Sequence, residues 1–174
     1  MLQALITSKT RLRLLIKFFV QATNQGYLNG LAQEFGESTN AIRKELNHLS
    51  KAGYLLKTKS NNKVIYLANS KHPLFPSLQK IVRQHLGLEI IAEQVIQRMG
   101  KVETISLIGD YAKGIDSGLI EIVVCGEKVN NRYLLTLSNK LSRNIGRRVR
   151  IETNIEQPKD GVILYVKKTG HDII

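Results

Sequence analysis

The chain has 174 residues, 43% of them hydrophobic, which is enough to bury a core in one large domain or two small ones and excludes wholesale disorder. Its formal net charge of +12 favours polyanionic partners, nucleic acid before an anionic membrane surface. No apolar run approaches the roughly 18 residues of a membrane span, and the single cysteine, Cys125, excludes an internal disulfide and a multi-cysteine metal site and suits a reducing cytoplasm.

In chain order, helical periodicity predicts a first helix over about Lys9 to Gln21, with Thr7 or Ser8 as its cap. Leu12, Leu15, Ile16 and Phe19 form its inward stripe, flanked by Arg11, Arg13 and Lys17. The basic and apolar residues of this region alternate with helical period and form no separate apolar block, so no signal peptide is expected. A second helix is predicted over Leu28 to Phe35, broken by Gly36. A third starts after Ser38 and ends near Gly53, a glycine suited to the C′ position. Tyr54 to Thr58 and Val64 to Ala68 alternate as short strands around Ser60-Asn61-Asn62, and asparagines tolerate the left-handed backbone of a tight hairpin.

The third helix sorts its residues by face. Ile42, Leu46 and Leu49 recur at i, i+4 and i+7 and bury one side. Asn40, Arg43, Lys44, Asn47 and Lys51 occupy the other. Those side chains suit duplex DNA: arginine pairs with guanine, asparagine with adenine, and lysine neutralises phosphate. Residues 1–70 hold 10 Lys+Arg against 3 Asp+Glu, and no acid lies between Glu45 and Glu89. Two helices joined by a glycine-containing turn, then a basic hairpin, form a winged helix-turn-helix. The expected DNA-binding residues are Ser38, Thr39, Asn40, Arg43, Lys44 and Asn47 on the reading helix, and Lys57, Lys59, Asn62 and Lys63 on the wing. The wing and the first helix are expected to hold phosphates.

The stretch Asn69-Ser70-Lys71-His72-Pro73, with Pro76, marks a boundary. Helical segments follow at Leu78 to His85 and Leu88 to Met99, rich in Ile, Leu and Val. From Gly100 the pattern turns to strands at Thr104 to Ile108 and Leu119 to Cys125, an amphipathic helix at Asn131 to Ile145, and strands at Arg148 to Thr153 and Val162 to Val166. The expected fold class is α+β: a winged helix-turn-helix over 1–70, a linker and helical dimerisation segment over 71–100, and a small α/β domain over 101–174.

Residues 1 to about 70 resemble the winged helix-turn-helix of ArsR- and MarR-like bacterial regulators. The resemblance rests on Leu31-Ala32-Gln33-Glu34-Phe35, on Ser38 through Leu49, and on Ala52-Gly53-Tyr54-Leu55, which match the spaced Ser, Val/Ile, Leu, Leu and Gly of those domains. Metal-sensing members use paired Cys, or His and Asp, at dimer positions. No Cys lies in this region, so metal sensing is not implied. Residues 105–126 are similar to the nucleotidyltransferase superfamily, in which Gly-Ser-x-Ala-x-Gly follows one strand and an Asp-x-Asp pair opens the next. Gly109, Ala112, Gly114 and the strand Ile120 to Val124 match. Asp110 stands where the family has serine, and the two aspartates fall on Leu119 and Glu121. The resemblance therefore implies a fold that has lost catalysis, with no metal and no cofactor, and with Gly109, Lys113, Gly114 and Glu121 left as candidate ligand-binding residues.

The chain as a whole is read as a cytoplasmic transcriptional regulator: partner duplex DNA, a homodimer, a small anionic or nucleotide effector as a candidate, no membrane. The alternative is a nucleotidyltransferase with a nucleic-acid-binding appendage, and an RNA-binding adaptor is a third reading. A second basic cluster, Lys140, Arg143 and Gly146 through Arg150, is open to reading as an extension of the DNA contact or an anionic-ligand site, but reads more simply as a solvated helix end and edge strand. The four histidines, His48, His72, His85 and His171, are scattered without ligand spacing.

Overall fold

The computed structural model describes residues 5–127, 129–154 and 156–167; His171 lies outside them. The chain is a mixed α+β protein with two sheets and divides into two compact units, Met1–Leu86 with Lys113–Asp116, and Gly87–Ala112 with Ser117–Ile174.

The first unit opens with α1 (Lys9–Phe19). The Ser8 hydroxyl accepts from the Arg11 N–H and caps it, as one of the two expected caps. All four residues of the expected stripe are buried, and so are Leu14, Phe18 and Val20. The helix is therefore surrounded rather than half-exposed. A three-residue strand β1 (Gln25–Tyr27) follows, absent from the sequence reading, and then α2 (Leu28–Phe35) and α3 (Thr39–Lys51). Gly36 leaves α2 at φ 62, and Glu37 N–H reaches back to the Ala32 carbonyl at 3.0 Å, so the chain turns in three residues. Ser38 Oγ accepts from Ala41 N–H to start α3. At the far end Tyr54 N–H bonds Leu49 O and Gly53 N–H bonds Ser50 O, the doubly bonded glycine stop that closes a helix C-terminus.

Strands β2 (Leu55–Ser60) and β3 (Lys63–Ala68) form an antiparallel hairpin in register Ser60↔Lys63. Only Asn61 and Asn62 lie between them, at φ 46 and 59. Positive φ at both central residues is what a two-residue hairpin with native strand twist requires. β1 pairs with the other side of β3, giving the order β1-β3-β2. The expected segment 71–100 divides at Gly87: α4 (Phe75–Leu86) belongs to the first unit and α5 (Leu88–Arg98) to the second. α4 packs on α1 through Phe19 and Phe75, whose ring centroids are 5.7 Å apart.

The second unit is a four-stranded sheet of β4 (Lys101–Ile108), β5 (Leu119–Glu127), β6 (Arg148–Asn154) and β7 (Val162–Val166) in the order β6-β5-β4-β7. A short helical turn α6 (Gly109–Ala112) links β4 to β5, and α7 (Leu134–Ile145) carries the chain from β5 to its parallel neighbour β6. A parallel pair needs such a crossover, and a helix provides it while covering one sheet face. Ile105, Leu107, Ile120, Ile122, Val124, Leu137, Leu141, Ile91 and Val95 make this core, and Cys125 is buried in β5.

Candidate nucleic-acid interface

α3 buries Ile42, Glu45, Leu46 and Leu49 and exposes Thr39, Asn40, Arg43, Lys44, Asn47, His48 and Lys51. From Asn40 onward the exposed residues follow i, i+3, i+4, i+7, i+8 and i+11, so they share one face. Within it the Arg43 guanidinium reaches Asn40 Oδ1 at 3.5 Å. Lys44, Asn47, His48, Lys51 and Ala52 line an open hollow of about 560 Å³ along the helix. His48 was not among the expected site residues, although its place four residues after Lys44 put it on the same face. Ser38, by contrast, is exposed but spends its hydroxyl on capping the helix.

The buried side of α3 explains why this face is so positive. Arg11 Nε donates to Glu45 Oε2 at 2.8 Å, Arg13 Nη1 meets Glu37 Oε1 at 3.2 Å, and Lys17 Nζ meets Glu34 Oε2 at 2.9 Å. Ser8 Oγ, besides capping α1, donates to Glu45 Oε1 at 2.8 Å. Thr10 donates to Glu37 Oε2, and Arg13 also donates to the Phe35 carbonyl at 2.7 Å, where a cation suits the C-terminus of α2. Burial raises the Glu45 pKa, but hydrogen bonds from Arg11 and Ser8 and the Arg11 charge outweigh it and hold the carboxyl below its ordinary value. Three of the four cations of α1, all but Lys9, are thus committed to the three acids of the first 70 residues. Arg11, Arg13 and Lys17 of the first helix, which was expected to hold phosphates, brace α2 and α3 through these pairs, and Lys9 remains exposed.

Among the described residues, no carboxylate pairs with Lys44, Lys51, Lys57, Lys59 or Lys63. The hairpin exposes Lys57, Lys59, Asn62 and Lys63. Lys57 Nζ lies 5.6 Å from the Tyr66 ring centroid and Lys63 Nζ 4.4 Å from that of Tyr27. These contacts orient the ammonium groups without neutralising them. Lys59, Asn61, Asn62 and Lys63 surround the hairpin tip.

Of the candidate ligand-binding residues of the second half, the structure brings Gly109 and Glu121 together. Gly109 and Glu121 lie in the second unit, while Lys113 and Gly114 group with the first. Gly109 has φ 68, and a Cβ there would fall 2.0 Å from Glu121 Oε2, so the carboxylate fills the space above the turn. Glu121 also pairs with Arg150 at 3.2 Å, from the facing position on β6. Gly114 is buried, and a Cβ on it would fall 2.5 Å from Lys17 Cα. Asp110 is exposed at the start of α6. No cluster of three or more His, Cys, Asp or Glu suited to a metal is found among the described residues. Tyr111, fully buried, accepts through its hydroxyl from Gly118 N–H at 3.2 Å and Arg147 Nε at 3.1 Å.

No helix of the described residues is long and apolar enough to cross a membrane. No protein-family model matches the chain, and no curated protein matches it. Among solved structures it is similar to the crystal structure of AntR, an antimony-specific transcriptional repressor, at 19% identity over 51% of this chain and 72% of that chain, with a TM-score of 0.37. That likeness is too slight to assign either fold or function.

Proposed function

We propose that this chain is a sequence-specific DNA-binding regulator whose first unit is a winged helix-turn-helix. In this reading α3 enters the major groove, with Thr39, Asn40, Arg43, Lys44 and Asn47 on base edges and nearby phosphates, and the β2–β3 hairpin lies along the backbone through Lys57, Lys59, Asn62 and Lys63. One observation carries it. Every acid of the first 70 residues is paired with a cation of α1, so the positive charge that remains is concentrated on the exposed face of α3 and on the hairpin. An ordinary solvated surface mixes the two signs. The second unit is read as a catalytically silent, nucleotidyltransferase-like domain that senses a ligand or mediates assembly, and the working form as a homodimer.

Selection of bound fragments from genomic DNA should yield a common sequence. On that site, Arg43→Ala should cost about 1–3 kcal/mol and relax specificity, because a lost guanine contact is sequence-dependent. Lys63→Ala should weaken all sequences alike and lower the dependence of log affinity on log salt by about 1. Equal effects of both substitutions on selected and random DNA, read by fluorescence anisotropy, would remove the assigned roles.

A further inference from the structure

The second unit is polarised in charge. Apart from 113–116, which group with the first unit, its residues 87–127 hold six acids and two Lys+Arg, whereas residues 129–154 hold six Lys+Arg and one acid, Glu152, exposed on β6. This second stretch folds into α7 and β6, and β6 is an edge strand of the sheet. Between them runs an open groove of about 430 Å³, lined by Ser138, Asn139, Ser142, Arg148 and Arg150 with Leu119, Leu134 and Leu135. Asn139, Lys140, Arg143 and Asn144 are exposed on α7, and Arg148 and Arg150 on β6. Two cations of the cluster are engaged: Arg147 at the Tyr111 hydroxyl and Arg150 at Glu121. Lys140, Arg143 and Arg148 have no carboxylate partner among the described residues.

We infer that α7 and the β6 edge form a second nucleic-acid surface, one that holds the phosphodiester backbone and is separate from the α3 and hairpin face. This deepens the DNA-binding reading, on which its choice of partner rests. Edge protection alone does not account for the arrangement. Edge-to-edge pairing is blocked by charges on the edge strand itself, and here the Ser142 hydroxyl already accepts from the Val149 N–H of the edge at 2.9 Å. The charge extends instead along the outer face of α7, where Asn139 and Asn144 add hydrogen-bond donors beside it. Lysine and arginine interspersed with asparagine, on an open surface and without aromatic platforms, suit phosphate and sugar contacts rather than base reading. The surface should therefore add affinity and salt dependence without sequence preference.

The test uses the full chain and fluorescence anisotropy over a salt series, with random duplex DNA and single-stranded RNA as separate probes. Arg143→Gln with Arg148→Gln should lower the log–log salt slope by about 2 on duplex DNA, or by somewhat less on a single strand. A control with equal charge loss, Lys101→Gln with Lys167→Gln at exposed positions outside the cluster, should leave the slope unchanged. The probe that loses slope identifies the nucleic acid held. Equal slope loss in both double variants, or none in either, overturns the inference. Arg43→Ala separates it from the regulator reading. If that substitution leaves selected and random DNA equal while the Arg143/Arg148 variant still loses slope, the sequence-reading role of α3 falls and the α7–β6 surface stands. If Arg43→Ala relaxes specificity and the Arg143/Arg148 variant behaves as the control, the reverse holds.

Discussion

At the scale of single residues, Glu45 joins what the first unit needs for stability to what its surface offers. Its side chain, only 9% exposed, receives Arg11 and Ser8 from the first helix. The same contacts neutralise the one acid of α3. Because its folded pKa is lowered, the contribution of this carboxylate is present above the unfolded carboxylate pKa and is lost as pH falls through the folded value. Glu45→Gln keeps the shape but loses the charge. It should cost about 1–2 kcal/mol at neutral pH, less than breaking a fully buried pair, because Arg11 can turn to water. Urea melts at pH 7 and in acid check this: the difference between the variant and the parent should shrink as the carboxyl protonates. A gap that stays constant from pH 7 to pH 3 would show that the charge is not what matters. The same substitution should leave random-DNA binding nearly unchanged, since position 45 is turned away from the exposed face.

At the scale of elements, the hairpin shows how tightly local chemistry fixes the candidate site. Asn61 and Asn62 hold both central turn positions at positive φ, and this sets the Ser60↔Lys63 register that places Lys59 and Lys63 at the tip. A β-branched side chain is poorly suited to that backbone. Asn62→Val should therefore cost about 1–2 kcal/mol, whereas Asn62→Gly should be neutral or slightly stabilising. Denaturant midpoints measure both, and a valine variant as stable as the parent would mean that the turn is not the left-handed one described. This hairpin was legible in the sequence because its signal is local, and so were the Ser38 cap, the Gly53 stop and the face of α3. β1 was not. Three residues, Gln-Gly-Tyr, carry no periodicity, and only pairing to Ile65, Tyr66 and Leu67 makes them a strand. The pairing of α1 with Glu34, Glu37 and Glu45 was equally hidden. Those partners lie 17 to 34 positions apart, and on paper each is an ordinary surface charge. The sequence showed which residues share the exposed face of α3 and the hairpin but not which cations were already occupied.

At the scale of the whole molecule, the net charge of +12 resolves into an exposed positive face in the first unit and a polarised second unit. Each unit also leaves apolar side chains on a helix surface: Leu74 and Ile81 at α4, and Ile90 and Ile96 on α5. Exposed apolar groups on these helices are the sequence-independent reason to expect a homodimer. Light scattering at tens of micromolar should give twice the monomer mass, and a monomer with and without DNA would count against it. The other whole-molecule question is whether the second unit, proposed to be nucleotidyltransferase-like, performs chemistry. Transfer of a nucleotidyl group needs carboxylates that hold divalent cations and a turn that admits phosphate oxygens. At the positions that the proposed resemblance would assign to these groups, Leu119 has no charge, Glu121 faces Arg150 and fills the space above Gly109, and Asp110 adds a negative charge to the turn. A lone carboxylate already neutralised by arginine binds a cation weakly, and an anionic turn repels phosphate. Incubation with labelled nucleoside triphosphates, Mg²⁺ or Mn²⁺ and candidate protein or RNA acceptors should therefore give no transfer above blank. Arg150→Gln, which frees Glu121, should not restore it, because the second carboxylate is still missing. Transfer by the parent chain that disappears in Glu121→Gln would overturn this reading and make the second unit an enzyme.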